Sequence, residues 1–173
     1  MSQRTCTMRG TRFPLIGPEL HPGDPAPDFR LVQRSAEGLK DVTLADFAGK
    51  TLILSVVPSL DTPVCEIQTV RFNDEVGSLP VDAEVLTVSM DLPFAQARFC
   101  SDKGTHRIQT ASDHRDGRFG EAYGTLIEPL RLECRAAFVV GPDRTIRYAE
   151  YVPEITDQPN YDAVVASARE TCG

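Results

Sequence analysis

The 173-residue chain lacks most of the features that would tie it to nucleic acid, membranes or metals. Its 18 lysines and arginines stand against 25 aspartates and glutamates, a net charge of −7, so it carries no basic footprint for nucleic acid. No apolar run approaches a membrane span, and the N-terminus has no continuous hydrophobic signal segment; both predict a cytoplasmic protein with no membrane partner. His21, His106 and His114 show no ligand spacing with one another or with the cysteines, so no metal is assigned. The glycines at 117, 120 and 124 lack the lysine and the strand context of a phosphate loop, which leaves no nucleotide cofactor. There is no C-x-x-C pair, since residue 68 is Gln, and there are no repeats or low-complexity tracts.

What is present suits one globular domain over residues 1–173, because 41% hydrophobic content at this length is enough for a single sizeable core. Cys6, Cys65, Cys100, Cys134 and Cys172 are odd in number and widely spread. In a reducing compartment such thiols are reactive or buried rather than a disulfide framework.

Alternation around Arg9-Gly10-Thr11-Arg12 predicts an N-terminal hairpin of Thr5 to Met8 with Phe13 to Ile16, an extension covering residues 1–17. Four prolines and two glycines between Gly17 and Pro27 predict an irregular crossing. Strands follow at Phe29 to Val32, Thr51 to Val57, Ala83 to Met90, Ile108 to Ala111, Arg135 to Val140 and Thr145 to Val152. Between them come a turn over Asp41 to Phe47 with Thr43 as cap, helices at Pro63 to Val76, Leu92 to Lys103 and Arg118 to Tyr123, and a loop at Glu128 to Glu133. An amphipathic helix from Tyr161 to Cys172 closes the chain. This order predicts an α/β fold, a central mixed sheet with helices on both faces.

Cys65 falls where the apolar strand Leu52 to Val57 hands over to a helix. With Thr62 as N-cap and Pro63 at the first helical position, the cysteine sits in the first turn, where free N–H groups and the helix dipole favour an anion. A free thiol of pKa about 8.5 is roughly 3% thiolate at pH 7, and one near 6 is roughly 90%. That change needs about 3.4 kcal/mol, at about 1.36 kcal/mol per unit. A helix terminus supplies about 0.3–1 kcal/mol, or about 2 when partly buried, so a cation is needed as well. Arg135, leading into the apolar strand Ala136 to Val140, is the best candidate. On the residues alone a second reading stays open, an arginine that merely reaches water from a strand end. On the second long helix, Leu92, Ala95 and Phe99 share the predicted apolar face, which leaves Cys100 on its flank and reachable from outside.

Pro58, Thr62 and Cys65 spell P-x-x-x-T-x-x-C, which resembles the signature of the peroxiredoxin family. The stretches Pro58 to Cys65 and Asp91 to Cys100 are similar to its thiol peroxidase subgroup, as are Asp41 to Leu44, Arg71 to Asn73, Arg135 to Ala137 and Glu154 to Thr156. The resemblance implies a thioredoxin-like fold with an added N-terminal hairpin, a homodimer, and reduction of peroxides to water or alcohols with thioredoxin as reductant. Carried onto this chain, it makes Cys65 the peroxidatic nucleophile and Cys100 the resolving thiol. Thr62 then positions the peroxide, Arg135 stabilises the thiolate, and Pro58 shields the site from water. The two cysteines lie on separate predicted helices, so local unwinding is expected to accompany a disulfide, whose closure constrains the unfolded chain by roughly 4 kcal/mol at most.

Other readings of the same cysteine are weaker. Cys65 to Arg71 also spells C-x-x-x-x-x-R, the pattern of a phosphatase loop, but the intervening residues contain no glycine and Glu66 adds a negative charge. A redox sensor using the same Cys65 to Cys100 switch without sustained turnover is the non-enzymatic alternative. Cys134 reads as a structural thiol, with a second trap for oxidised Cys65 as its other use, and Cys172 as a packing residue of the last helix.

Overall fold

The computed structural model describes residues 3–172. Its strands are β1 Thr5–Met8, β2 Thr11–Pro14, β3 Arg30–Ser35, β4 Gly38–Thr43, β5 Thr51–Val56, β6 Ala83–Ser89, β7 Gln109–Ser112, β8 Leu126–Ile127, β9 Leu132–Glu133, β10 Ala136–Val140 and β11 Ile146–Tyr151. The helices are α1 Pro63–Glu75, α2 Pro93–Lys103, α3 Arg118–Tyr123 and α4 Tyr161–Cys172. Seven strands form the main sheet in the order β11-β10-β5-β6-β7-β3-β4. β5, β6 and β7 run parallel; β10 pairs antiparallel with β5, and β3 with β7. Among the described residues no helix is long and apolar enough to cross a membrane.

The alternation of strand side chains sorts the core into two layers. Leu52, Leu54, Val56, Leu86, Val88 and Phe138 face Phe119 and Tyr123 of α3 together with the N-terminal hairpin. Ile53, Val85, Ala137 and Val139 face Phe72 of α1 and Val164 and Ala168 of α4. The expected mixed sheet, covered on both faces, is what forms. Phe72 is fully buried, and a side chain of that size contributes about 1.5–3 kcal/mol on burial, enough to fix the face that α1 turns to the sheet.

Several expectations need correction. The second hairpin strand is Thr11–Pro14 rather than Phe13 to Ile16, because the turn is only Arg9-Gly10, both at positive φ, and the partners close up two residues earlier. Gly38–Thr43 is a full strand paired with β3, not a turn. Most of its residues are exposed, so it has no apolar alternation to read. Thr43 does cap the helical turn that follows, in a capping box with Asp46. The loop of Glu128 to Glu133 contains part of a small β8-β9 hairpin.

The larger correction concerns α2. Leu92 and Phe94 are 55% and 54% exposed, Ala95 is exposed, and the buried residues are Pro93 and Gln96. Cys100 continues that inward row, with Sγ 3.8 Å from Thr110 Oγ1 of β7. The helix has a polar inner face because Gln96 Nε2 donates to Ala111 O (2.9 Å) and Ser89 Oγ (3.0 Å), groups on strand ends that hydrocarbon would leave unpaired. Hydrophobicity therefore pointed to the wrong side for Leu92 and Ala95, while Phe99 does pack inward, against Cys65, and Cys100 stays partly exposed.

The hairpin is fastened by one carboxylate. Glu154 accepts from Thr7 Oγ1 (2.8 Å), the N–H groups of Arg9 (3.0 Å) and Gly10 (3.1 Å), and Thr156 Oγ1 (2.8 Å). The Gly10 N–H leads the causes that hold this carboxyl down at about 2. A second acid, Glu133, is buried beside Asp113; burial pushes its carboxyl well above the usual range, and the Asp113 charge adds to this.

Candidate active site

The strand β5 ends at Val56, and Val57 N–H still bonds to Val88 O of β6 (3.0 Å) before the chain turns through buried Pro58 into the loop Ser59–Asp61. Thr62 is extended, φ −137° and ψ 145°, and Pro63 opens α1. The first helical bond runs from Glu66 N–H to Thr62 O (3.0 Å). Cys65 is therefore the third residue of α1, among N–H groups that have no acceptor within the helix. Its side chain is 1% exposed and packs with Val57, Leu60 and Phe99.

Thr62 stands at the N-cap position, but its hydroxyl does not cap the helix. Thr62 Oγ1 donates instead to Ser59 O (2.7 Å). The expected capping bond is absent, the hydroxyl being directed to Ser59 instead. The residue is exposed, at the rim of a cleft bounded by Ser59–Pro63 and Ile67 on one side and by Asp91, Arg98 and Phe99 on the other.

Arg135 is brought to Cys65 by the pairing of β10 with β5, which sets Ala136 opposite Val56 and so places the residue before β10 next to the start of α1. Arg135 is 1% exposed. Nη2 donates to Cys65 Sγ (3.2 Å), Nη1 to Gln68 Oε1 (2.7 Å) and Nε to Ile155 O (2.8 Å). None of these acceptors is a carboxylate. A buried cation requires a compensating anion or strong hydrogen bonds, and the sulfur is the one partner here that can carry charge. The side chain does not reach water, which speaks against the second of the two readings of Arg135.

Gln68 and the Ile155 carbonyl were not legible as site groups. Gln68 lies one helical turn beyond Cys65, a spacing that puts the two on one face, and it is fully buried, with Nε2 donating to Ser55 Oγ (2.8 Å). It orients Arg135. Ile155 O is a backbone group, which sequence does not mark; it is held by Ile155 N–H donating to Thr7 O (2.9 Å) of the N-terminal hairpin.

The remaining thiols are placed apart from this site. Cys134 is fully buried, and burial raises it well above the usual thiol range; burial likewise pushes Cys6 to about 11. Such thiols are poor nucleophiles, in keeping with the structural reading of Cys134. Cys100 and Cys172 are partly exposed. Because successive helical residues differ by about 100°, Phe99 turns toward Cys65 while Cys100 turns toward β7.

The Redoxin family matches residues 21–165 of this chain. Over 163 residues the chain is 47% identical to the thiol peroxidase of Bacillus subtilis, covering 94% of this chain and 95% of that protein. It is 47% identical over 161 residues to the thiol peroxidase of Staphylococcus aureus (strain MRSA252), with 93% and 95% covered. A peroxiredoxin-like protein from Aquifex aeolicus superposes with a TM-score of 0.89 at 39% identity over 97% of both chains. The chain belongs to the Redoxin family, with the thioredoxin-like architecture of the peroxiredoxins. The Bacillus subtilis and Staphylococcus aureus relatives, of matching length, are thiol peroxidases.

Proposed function

We propose that this protein is a thiol-dependent peroxidase that reduces hydrogen peroxide and organic hydroperoxides through Cys65. The observation that carries the reading is the 3.2 Å bond from Arg135 Nη2 to Cys65 Sγ at the start of α1. A sulfur that accepts from a buried guanidinium keeps electron density available for attack, and the same cation stabilises charge on the departing oxygen. The Cys65 thiolate attacks one peroxide oxygen, the O–O bond breaks, and the alkoxide or hydroxide leaves and takes up a proton. Cys65 is then a sulfenic acid. Thr62, at the rim of the cleft, is assigned to position the peroxide by its hydroxyl, and buried Pro58 to keep water from the sulfur.

Cys100 is assigned as the resolving thiol: it attacks the sulfenic sulfur, forms a Cys65–Cys100 disulfide and releases water. Thioredoxin returns both sulfurs to thiols, and we assign the working form as a cytoplasmic homodimer of one domain over residues 1–173 with the hairpin as an extension. Because Cys100 faces β7, the disulfide requires α2 or the start of α1 to unwind locally. Peptide mass spectrometry after one equivalent of hydrogen peroxide tests this. Wild type should yield the Cys65–Cys100 bridge and Cys100→Ser a sulfenic acid at Cys65; a bridge from Cys65 to Cys134 would overturn the choice of partner.

A further inference from the structure

The loop that precedes Cys65 is held to the end of β6 by a single side chain. Asp91 Oδ1 accepts from Ser59 Oγ (2.7 Å), and its Oδ2 accepts from Leu60 N–H (2.8 Å) and from Ser89 Oγ (2.6 Å). The contact reaches Thr62, because Thr62 Oγ1 donates to the carbonyl of the same Ser59. It also reaches the helix that bears Cys100. Asp91 immediately precedes the Leu92 N-cap of α2, and Ser89 Oγ accepts from Gln96 Nε2 (3.0 Å), a buried residue one turn before Cys100. Both cysteine-bearing segments are thereby fixed relative to one carboxyl group.

Little else spans the cleft between them. Lys103 and Glu66 form an ion pair across it at 2.8 Å, but both side chains are about 40% exposed, with Lys103 at 41% and Glu66 at 40%, and exposed pairs contribute little. The Phe99 contact with Cys65 is apolar and non-directional. The Asp91 bonds are directional, partly buried and set the loop by its backbone as well as by Ser59.

We propose that Asp91 is the clasp that holds the Ser59–Thr62 loop in its peroxide-reactive arrangement and so sets the rate at which oxidised Cys65 leaves its place to meet Cys100. This rests on the Cys65–Cys100 disulfide proposed above. Asp91 is a positioning residue: it touches neither sulfur and acts through Ser59 and Leu60. With the clasp closed, Cys65 stays aligned with Arg135 and reacts with peroxide, and a sulfenic acid formed there remains exposed to a second peroxide. With it open, the disulfide closes sooner and further oxidation to the sulfinic acid is avoided.

Asp91→Asn keeps the shape but turns an N–H₂ toward at least one of the three donors. Rapid-quench mass spectrometry of the full chain, resolving sulfenic acid, disulfide and sulfinic acid at Cys65 during one turnover, reads the effect. In Asp91→Asn, sulfenic acid formation is expected to slow and disulfide closure to accelerate, each by roughly tenfold, or about 1.4 kcal/mol, with less sulfinic acid at excess peroxide. Ser59→Ala removes one bond from the same clasp and is expected to shift closure in the same direction by less; it carries the test if Asp91→Asn does not fold. General loosening of the fold would also favour unwinding, but it raises amide exchange throughout the domain, whereas a clasp raises it at Ser59–Thr62 and the start of α2 alone. Closure at or below the wild-type rate in both variants, from a wild type that forms the Cys65–Cys100 bridge, overturns the clasp alone. Absence of that bridge in wild type overturns the disulfide reading on which it rests.

Discussion

Arg135 and Cys65, 70 positions apart in sequence, meet through a 3.2 Å bond in which a buried guanidinium nitrogen donates to a buried sulfur. The β5-β10 register and the first turn of α1 together impose this. The guanidinium is held in this position by two further groups, Gln68 Oε1 and the Ile155 carbonyl.

Gln68→Leu should therefore impair the site without touching the sulfur. The substitution leaves Arg135 Nη1 buried with no acceptor, at a cost of about 1–3 kcal/mol, and lets the guanidinium turn away from Cys65. Peroxide consumption at saturating reductant is expected to fall roughly tenfold. An unchanged rate with an intact fold would show that Arg135 needs no such support.

Glu154 predicts a particular acid sensitivity. Its carboxyl is depressed to about 2 in the folded chain, first by the Gly10 N–H and then by Thr7, Thr156 and Arg9, against about 4.3 when unfolded. A depressed carboxyl contributes stability that is present above the unfolded value and is lost as pH falls through about 2. The melting temperature should decline across that window in wild type. Glu154→Gln should flatten this part of the decline and lower the melting temperature at pH 7, and an unaltered slope would remove Glu154 as its source.

Glu133 predicts the opposite trend. Burial raises its carboxyl, so its contribution is complete at low pH and is lost as pH climbs from about 4.3 through the raised folded value. Glu133→Gln keeps the size and can still accept from Thr125 Oγ1, which lies 2.6 Å from Glu133 Oε2. The variant's melting temperature relative to wild type should rise between pH 4 and pH 8. Calorimetry showing a constant difference would contradict this.

The central strands, the four helices and the Cys65–Arg135 pairing could be read from the chain because each rests on a strong local signal: apolar runs for β5, β6 and β10, Pro63 at the start of α1, and an arginine leading into an apolar strand. What escaped detection was polar and inward-facing. Gln96 and Cys100 face the sheet where periodicity placed Leu92 and Ala95, because unpaired strand-end groups outweighed hydrophobicity on that part of α2. Gln68 and Asp91 carry no apolar signature, and their importance lies in partners distant in sequence. β4 is an exposed edge strand with no buried alternation to betray it.

The most direct test of the account is the second-order rate of Cys65 oxidation by hydrogen peroxide in Cys100→Ser, compared with the same protein carrying Arg135→Met. Removing a donor aimed at developing charge costs about 10²–10³ in rate, so the added substitution should slow sulfenic acid formation by at least about a hundredfold. Equal rates in two folded proteins would contradict the claim that Arg135 activates the sulfur it touches.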